Sequence, residues 1–280
     1  MPELAEIETL KLYLAEHIIG DKITNYTQRR NKLRYELTKD LASYLINATI
    51  IDITRRAKYL NIYFNNDYVL TYHLGMSGRI TIQLENYQLQ KHDHIIIGLQ
   101  SGKQLVFNDA RRFGMVYISP SNQVNDQHYL KTLGAEPLEE EFNTEYLFKK
   151  LLSKKIAIKL AIMDNKIVVG VGNIYAAESL FMAKINPLRP SNTLTREEVY
   201  TLVSSIKQVL EKAIKAGGTT LRDFVGVDGK PGYFKQELNV YGRIGLPCYI
   251  CGHKIERIKQ SGRSTFFCPD CQNSGQKDLL

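Results

Sequence analysis

Two hundred and eighty residues exceed one small core and suit about two or three domains. The chain is 44% hydrophobic, which excludes a disordered polymer. Its 37 basic against 29 acidic side chains (formal charge +8, pI about 9.1) favour a polyanionic partner, nucleic acid first, unless the surface is merely basic. No run reaches the roughly 18 apolar residues of a membrane helix. The first twenty residues carry Glu3, Glu6 and Glu8 with no basic leader, so the expectation is a cytoplasmic, nucleoid-associated protein without a membrane partner.

The chain opens on a predicted helix in which Ile7, Leu10, Leu14 and Ile18 recur at i+3 and i+4 and give one apolar face. Strands follow to about residue 130. Tyr68 to His73, His94 to Leu99 and Gln104 to Phe107 are β-branched and aromatic and are bounded by Gly, Asn and Asp. The polar stretch Pro120 to Gln127 reads as a linker. From Asn143 to Gly217 the pattern is helical, with its clearest segment from Arg196 to Ala216. There Thr195 and Glu198 form a capping box and Gly217 supplies the stop. A glycine-rich segment runs on to Tyr233, and the chain shows no internal repeat.

All four cysteines lie in the last thirty-three residues, as Cys248-x-x-Cys251 and Cys268-x-x-Cys271 with sixteen residues between the pairs. Two thiolates at i and i+3 on a tight turn share one ion, and two such turns complete a tetrahedral Cys₄ shell. The alternative, a pair of redox dithiols, calls for a βαβ setting that the pattern lacks. Thiolates fill every position, so one Zn²⁺ held this way is structural. Between the pairs, Ile255 to Lys259 and Ser264 to Phe267 alternate as strands around Ser261-Gly262-Arg263, which makes a hairpin with Arg263 at or beside its tip. Lys254, Arg257, Lys259 and Arg263 make it basic.

At the other end the chain begins Met-Pro-Glu. A small second residue permits removal of Met1, which exposes Pro2 as a secondary amine. An α-amino group has a pKa near 7.7–8.0 against about 10.4 for lysine, so a substantial fraction is unprotonated at neutral pH and able to attack carbonyl-level carbon. Many proteins begin Met-Pro without using it.

The surrounding motifs decide the matter by resemblance. Pro2-Glu3-Leu4-Ala5-Glu6-Ile7-Glu8-Thr9 resembles the opening of the formamidopyrimidine-DNA glycosylase family. Arg55-Arg56-Ala57-Lys58-Tyr59-Leu60, His73-Leu74-Gly75-Met76-Ser77-Gly78, Lys91-His92-Asp93-His94 and Asp109-Ala110-Arg111-Arg112-Phe113-Gly114 are similar to further family motifs, in family order. So are Val169-Gly170-Val171-Gly172-Asn173-Ile174-Tyr175 and Gly262-Arg263-Ser264-Thr265. The resemblance implies an α+β fold. Residues 1–130 would form an N-terminal β-sandwich with a leading helix, residues 131–240 a helical region with a helix-two-turn-helix motif, and residues 241–280 the Cys₄ zinc-ribbon hairpin, with DNA in the cleft. It implies a monomeric enzyme that excises oxidised purines opposite cytosine in double-stranded DNA, then cuts the strand.

The same resemblance implies the site. Pro2 is the nucleophile and Glu3 the acid beside it; Lys58 and Arg263 match positions assigned to the elimination steps. A guanidinium with a pKa above about 12 seldom surrenders a proton, so clamping phosphates suits Arg263 better. Met76 and Phe113 are wedges for the vacated stack, though such residues are usually core. Arg111 offers donors to the adjacent acceptors of an orphaned cytosine, or else pairs with Asp109 at the surface. Asn173, at a helix start, matches a phosphate-binding position; His92 and Lys155 match further DNA contacts. A metal role for His92 and His94 would need acidic partners. The glycine-rich segment is similar to a loop that closes over the extruded base; by sequence alone it is a linker. Two departures stand out. Ala5 replaces a proline, which a helix tolerates. Ala177 replaces an acidic or small polar residue, leaving Glu178 to make any contact there. The rivals are an endonuclease VIII-type enzyme for oxidised pyrimidines and a catalytically silent zinc-ribbon DNA-binding protein.

Overall fold

The computed structural model describes residues 2–218 and 238–273. Among these the chain divides into two compact units, residues 2–131 with 216–218, and residues 132–215 with 238–273. No helix of the described residues is long and apolar enough to cross a membrane.

The first unit opens on helix α1 (Leu4–Ile18), whose apolar stripe Ile7, Leu10, Leu14 and Ile18 is buried as the periodicity requires. Its start is a capping box: the Glu3 amide donates to Glu6 Oε2 at 2.8 Å, and Glu3 answers the amide of Glu6. Strand β1 (Ile23–Gln28) and the short α2 (Leu41–Leu45) precede seven further strands. These are β2 (Ile50–Arg56), β3 (Tyr59–Phe64), β4 (Tyr68–His73), β5 (Arg79–Leu84), β6 (Asp93–Leu99), β7 (Lys103–Asn108) and β8 (Met115–Pro120). They form two antiparallel four-stranded sheets, β1-β6-β7-β5 and β2-β3-β4-β8. The sheets share one core. Leu60, Ile62 and Phe64 of one and Ile95, Ile97 and Leu99 of the other point inward at every second position, and α1 closes the cluster. Each such side chain contributes about 1.5–3 kcal/mol of burial.

The polar stretch read as a linker is structured. Ser121–Asp126 forms a 3₁₀ helix with Val124 buried, and α3 (His128–Lys131) follows it. A single valine among six polar residues and a proline is too weak a signal to reveal such a turn.

The second unit holds α4 (Thr144–Leu151), α5 (Ile158–Ile162), α6 (Asn173–Met182) and α7 (Arg196–Lys215), with the hairpin β9 (Glu256–Gln260) and β10 (Arg263–Phe267). Asn143 caps α4, its side-chain oxygen accepting from the Tyr146 amide at 3.0 Å. At α7 the predicted capping box is reciprocal: the Thr195 amide donates to Glu198 at 2.8 Å and the Glu198 amide to Thr195 Oγ1 at 3.2 Å. Gly217 ends that helix with φ +76°.

Candidate active site and nucleic-acid interface

In the N-terminal unit Pro2 and Glu3 are both buried at the entry to α1, where the capping box fixes the backbone that carries them. Lys58 lies on the two-residue turn between β2 and β3, a turn made possible by Ala57 in the left-handed region at φ +54°. Arg55 of β2 anchors that hairpin to α1 through Glu8, its Nε lying 2.6 Å from Oε2. Beside it the ring of His73 lies 4.9 Å from Tyr59. Burial, then the charges of Lys58 and Arg34, push its pKa down to about 4, so the ring is neutral at pH 7. Its Nδ1 accepts from the Gly75 amide at 3.1 Å.

Two loops then present apolar side chains to solvent. Met76 is 37% exposed and Phe113 42%, so the core alternative fails for both. The ion-pair alternative for Arg111 also fails. Asp109 is fully buried and accepts from the Arg111 amide at 3.2 Å, while the guanidinium lies 5.1 Å from the centroid of the Phe113 ring. Next to this pair an open cavity of about 710 Å³ is lined by Arg29, Arg30, Lys32, Arg34, Arg111 and Arg112. Arg29 is spent on the carbonyls of Gln90 and Asp93, at 2.6 and 3.2 Å. Five cations around one hollow, with no ion pair to a carboxylate among the described residues, suit a polyanion. His92 is half-buried, its ring centroid 6.4 Å from that of His94. His94 is buried and bonded to the Asp109 carbonyl at 2.8 Å. Neither histidine belongs to a metal-ligating cluster among the described residues.

In the C-terminal unit Asn173 is the first residue of α6, whose N-cap is Gly172. Its side chain is held from both ends: Nδ2 donates to the Ser264 carbonyl at 3.0 Å, and Oδ1 accepts from Lys159 Nζ at 2.5 Å. Lys159 is 0% exposed and also donates to Thr265 Oγ1 at 2.7 Å. Motif reading missed this lysine. Its only sequence signal is a lone cation in the apolar run Ile156 to Ile162. Lys155, by contrast, is exposed in the loop before α5. Arg263 is exposed at the start of β10, directly after the turn Ser261-Gly262, whose φ values of +45° and +80° fit a two-residue hairpin. The tip is therefore those two residues, with Arg263 opposite Gln260.

Glu178, 2% exposed on α6, ties the ribbon's approach to the helices. Its carboxylate accepts from the amides of Asn239, Val240 and Tyr241 at 2.8–3.0 Å. Its neighbour Ala177 packs in a small core with Phe181, Val240, Ile255 and Phe266, so no polar partner is lost there.

The four cysteine sulfurs lie within 4.8 Å of one another, with Cys248 to Cys271 at 3.9 Å and Cys251 to Cys268 at 3.4 Å. A tetrahedron with Zn–S bonds of about 2.3 Å has edges near 3.8 Å, so the donor set fits one zinc ion. The Ile250 and Cys271 amides point at Cys248 and Cys268 sulfur at 3.4 Å, as zinc knuckles require.

Comparison with known proteins now decides the family. Residues 1–116 match the formamidopyrimidine-DNA glycosylase N-terminal domain, 133–225 its H2TH domain, and 245–273 the zinc finger found in FPG and IleRS. The formamidopyrimidine-DNA glycosylases of Rickettsia conorii and Rickettsia bellii (strain OSU 85-389) are 53% and 50% identical over 274 residues, 98% of this chain and 100% of each relative. The chain belongs to the formamidopyrimidine-DNA glycosylase family. Solved relatives agree: a point mutant of Lactococcus lactis Fpg bound to Fapy-dG DNA superposes with a TM-score of 0.90 at 35% identity, covering 97% of this chain and 100% of that one. MutM bound to DNA with carbocyclic 8-oxo-G gives 0.89 at 35%, with the same coverage. This glycosylase is thus an enzyme that acts on damaged bases in DNA and carries one structural zinc ion in its ribbon. A silent DNA-binding scaffold is ruled out. The glycine-rich segment matched to a closing loop lies, beyond Gly218, outside the described residues.

Proposed function

We propose that this glycosylase excises oxidised purines, 8-oxoguanine and formamidopyrimidines, from opposite cytosine and then cuts the strand through a Schiff base on Pro2, acting as a monomer. The observation that carries the reading is the buried Pro2-Glu3 pair at the capped entry to α1. With Met1 removed, that pair sets a secondary amine beside a carboxyl. Solved relatives bound to DNA with Fapy-dG, carbocyclic 8-oxo-G or an abasic site support it, though Lactococcus lactis Fpg is also solved with an oxidised pyrimidine in its DNA.

A lesion inside a duplex is unreachable, so the nucleotide must leave the stack. Met76 and Phe113 fill the gap, and Arg111 donates to N3 and O2 of the orphaned cytosine. The cavity beside Arg111 takes phosphates, as do Asn173, His92, Lys155 and Arg263. The Pro2 nitrogen then attacks C1′, and the N-glycosidic bond breaks toward the base, which leaves with a proton. Glu3 protonates the ring oxygen, so the sugar opens to an iminium on Pro2. Loss of the C2′ proton breaks the C3′–O bond and frees the 3′ phosphate. Loss of the C4′ proton then breaks the C5′–O bond, and hydrolysis of the iminium restores Pro2. Lys58, whose charge acts on neutral His73, moves protons in these eliminations, while Arg263 binds phosphate. The zinc ion takes part in no step: it shapes the hairpin that presents Arg263.

The test is product analysis on one duplex containing 8-oxoguanine opposite cytosine. The reading predicts a one-nucleotide gap with phosphate on both ends. Release of the base with an intact strand would contradict it, and preferential excision of oxidised pyrimidines would favour the endonuclease VIII-type alternative.

A further inference from the structure

Residues 74–78, with Met76, and 109–114, with Arg111 and Phe113, form separate loops, yet one buried carboxylate joins them. Asp109 Oδ1 accepts from Ser77 Oγ at 2.7 Å and from the Arg111 amide at 3.2 Å, and Oδ2 accepts from the Gly114 amide at 2.7 Å. The Ser77 oxygen in turn accepts from the Arg111 amide at 3.1 Å, which closes a small ring of bonds between the loops. The main chain of Asp109 is pinned as well, its amide donating to the His92 carbonyl at 3.0 Å and its carbonyl accepting from His94 Nε2 at 2.8 Å. The loop backbones also touch. A Cβ on Gly75, whose φ is +65°, would meet the Phe113 carbonyl carbon at 2.5 Å.

We propose that Asp109 is a positioning residue for base extrusion and partner reading. Its carboxylate locks the Met76 loop to the Arg111–Phe113 loop, so wedge and reader enter the duplex as one preorganised body. The proposal rests on the assignment of Met76, Arg111 and Phe113 to the duplex interior. Its physical basis is rigidity: a wedge that must unstack bases works only if its support does not yield, and exposed loops are otherwise the least stable part of a fold. Two acceptor oxygens are needed, since Ser77 and Arg111 occupy one and Gly114 the other. Asparagine keeps only one acceptor and turns an NH₂ toward a donor, so it loses either the bond to the Met76 loop or the brace within the Arg111–Phe113 loop.

The experiment uses full-length, zinc-loaded enzyme and compares Asp109→Asn, Ser77→Ala and Phe113→Ala. Single-turnover rates are measured for 8-oxoguanine excision from a duplex and for cleavage of a ready-made abasic site in the same duplex. A 2-aminopurine beside the lesion reports extrusion. Asp109→Asn should lower the ratio of excision to abasic cleavage by at least about tenfold, slow the fluorescence rise and weaken the preference for cytosine over adenine. Ser77→Ala, which removes the bond from the Asp109 carboxylate to the Met76 loop and leaves the Gly114 bond in place, should lower the ratio by about tenfold as well. A ratio unchanged in Asp109→Asn but lowered in Phe113→Ala overturns the positioning role alone. A ratio unchanged in Phe113→Ala overturns the wedge assignment beneath it. Should Asp109→Asn fail to fold, Ser77→Ala decides by the same criterion.

Discussion

In the N-terminal unit Met76, Arg111 and Phe113 stand on loops and face solvent, while in the C-terminal unit Asn173 is clamped between Lys159 and the Ser264 carbonyl over a buried threonine. The first arrangement leaves its side chains unsatisfied for a ligand to meet. The second satisfies them internally and presents a fixed backbone surface. Disruption should therefore act differently in the two places: in the loops it alters which base is read, and in the platform it alters whether DNA is held at all.

The largest effect is expected at the ribbon. Structural zinc in such modules supplies about 10–16 kcal/mol of apparent folding free energy at neutral pH, so its loss unfolds the hairpin that carries Arg263. Cys251→Ser should lose the zinc equivalent, read by elemental analysis, and most duplex binding, while circular dichroism retains the N-terminal β signal. Normal binding by the zinc-free variant would erase the contrast between loops and platform.

Next is Lys159→Met, which fits the volume but orphans Asn173 Oδ1, while Thr265 Oγ1 keeps its bond to Gln260 Oε1. An orphaned buried group costs about 1–3 kcal/mol. Chemical denaturation should show a loss of that order, and DNA affinity should fall with excision and abasic cleavage alike. A selective loss of excision would move Lys159 from platform to reader.

His73 offers a pH test at the root of the Met76 loop. An unfolded histidine titrates at 6.5 and this one at about 4, burial being the chief cause and the Lys58 and Arg34 charges adding to it. Below 6.5 the unfolded state therefore binds more protons. The stability His73 gives the fold is complete above 6.5 and lost as pH falls toward 4, by at most about 3 kcal/mol. Urea unfolding across that window should show the fall, and His73→Gln should flatten it. An equally steep profile in the variant would assign the effect elsewhere.

The smallest effect concerns salt. Binding should weaken with log salt at about −0.9 per neutralised phosphate, and Arg263→Ala should flatten the slope by about one unit. An unchanged slope would mean that Arg263 makes no phosphate contact.

The same contrast explains what could be read from the sequence. The helix stripe of α1, the capping box of α7 and the cysteine spacing are local patterns, and each stands where periodicity or spacing put it. For Met76 and Phe113, residue type alone favours the core, and only the family resemblance points to the exposed positions they occupy. Lys159 and Glu178 were not legible, because their partners, Thr265 and residues 239–241, lie 106 and about 60 positions away. Nor was the role of Asp109, whose sequence reading stopped at a surface ion pair. Tertiary contact alone makes it a buried hub.

The central claim is that the amine of Pro2 attacks the lesion sugar. Borohydride reduction during reaction with an 8-oxoguanine duplex, followed by peptide mass mapping, tests it directly. The account predicts one covalent adduct, on residue 2, absent from protein in which Met1 is retained. An adduct on Lys58, or full trapping with Met1 in place, would contradict it.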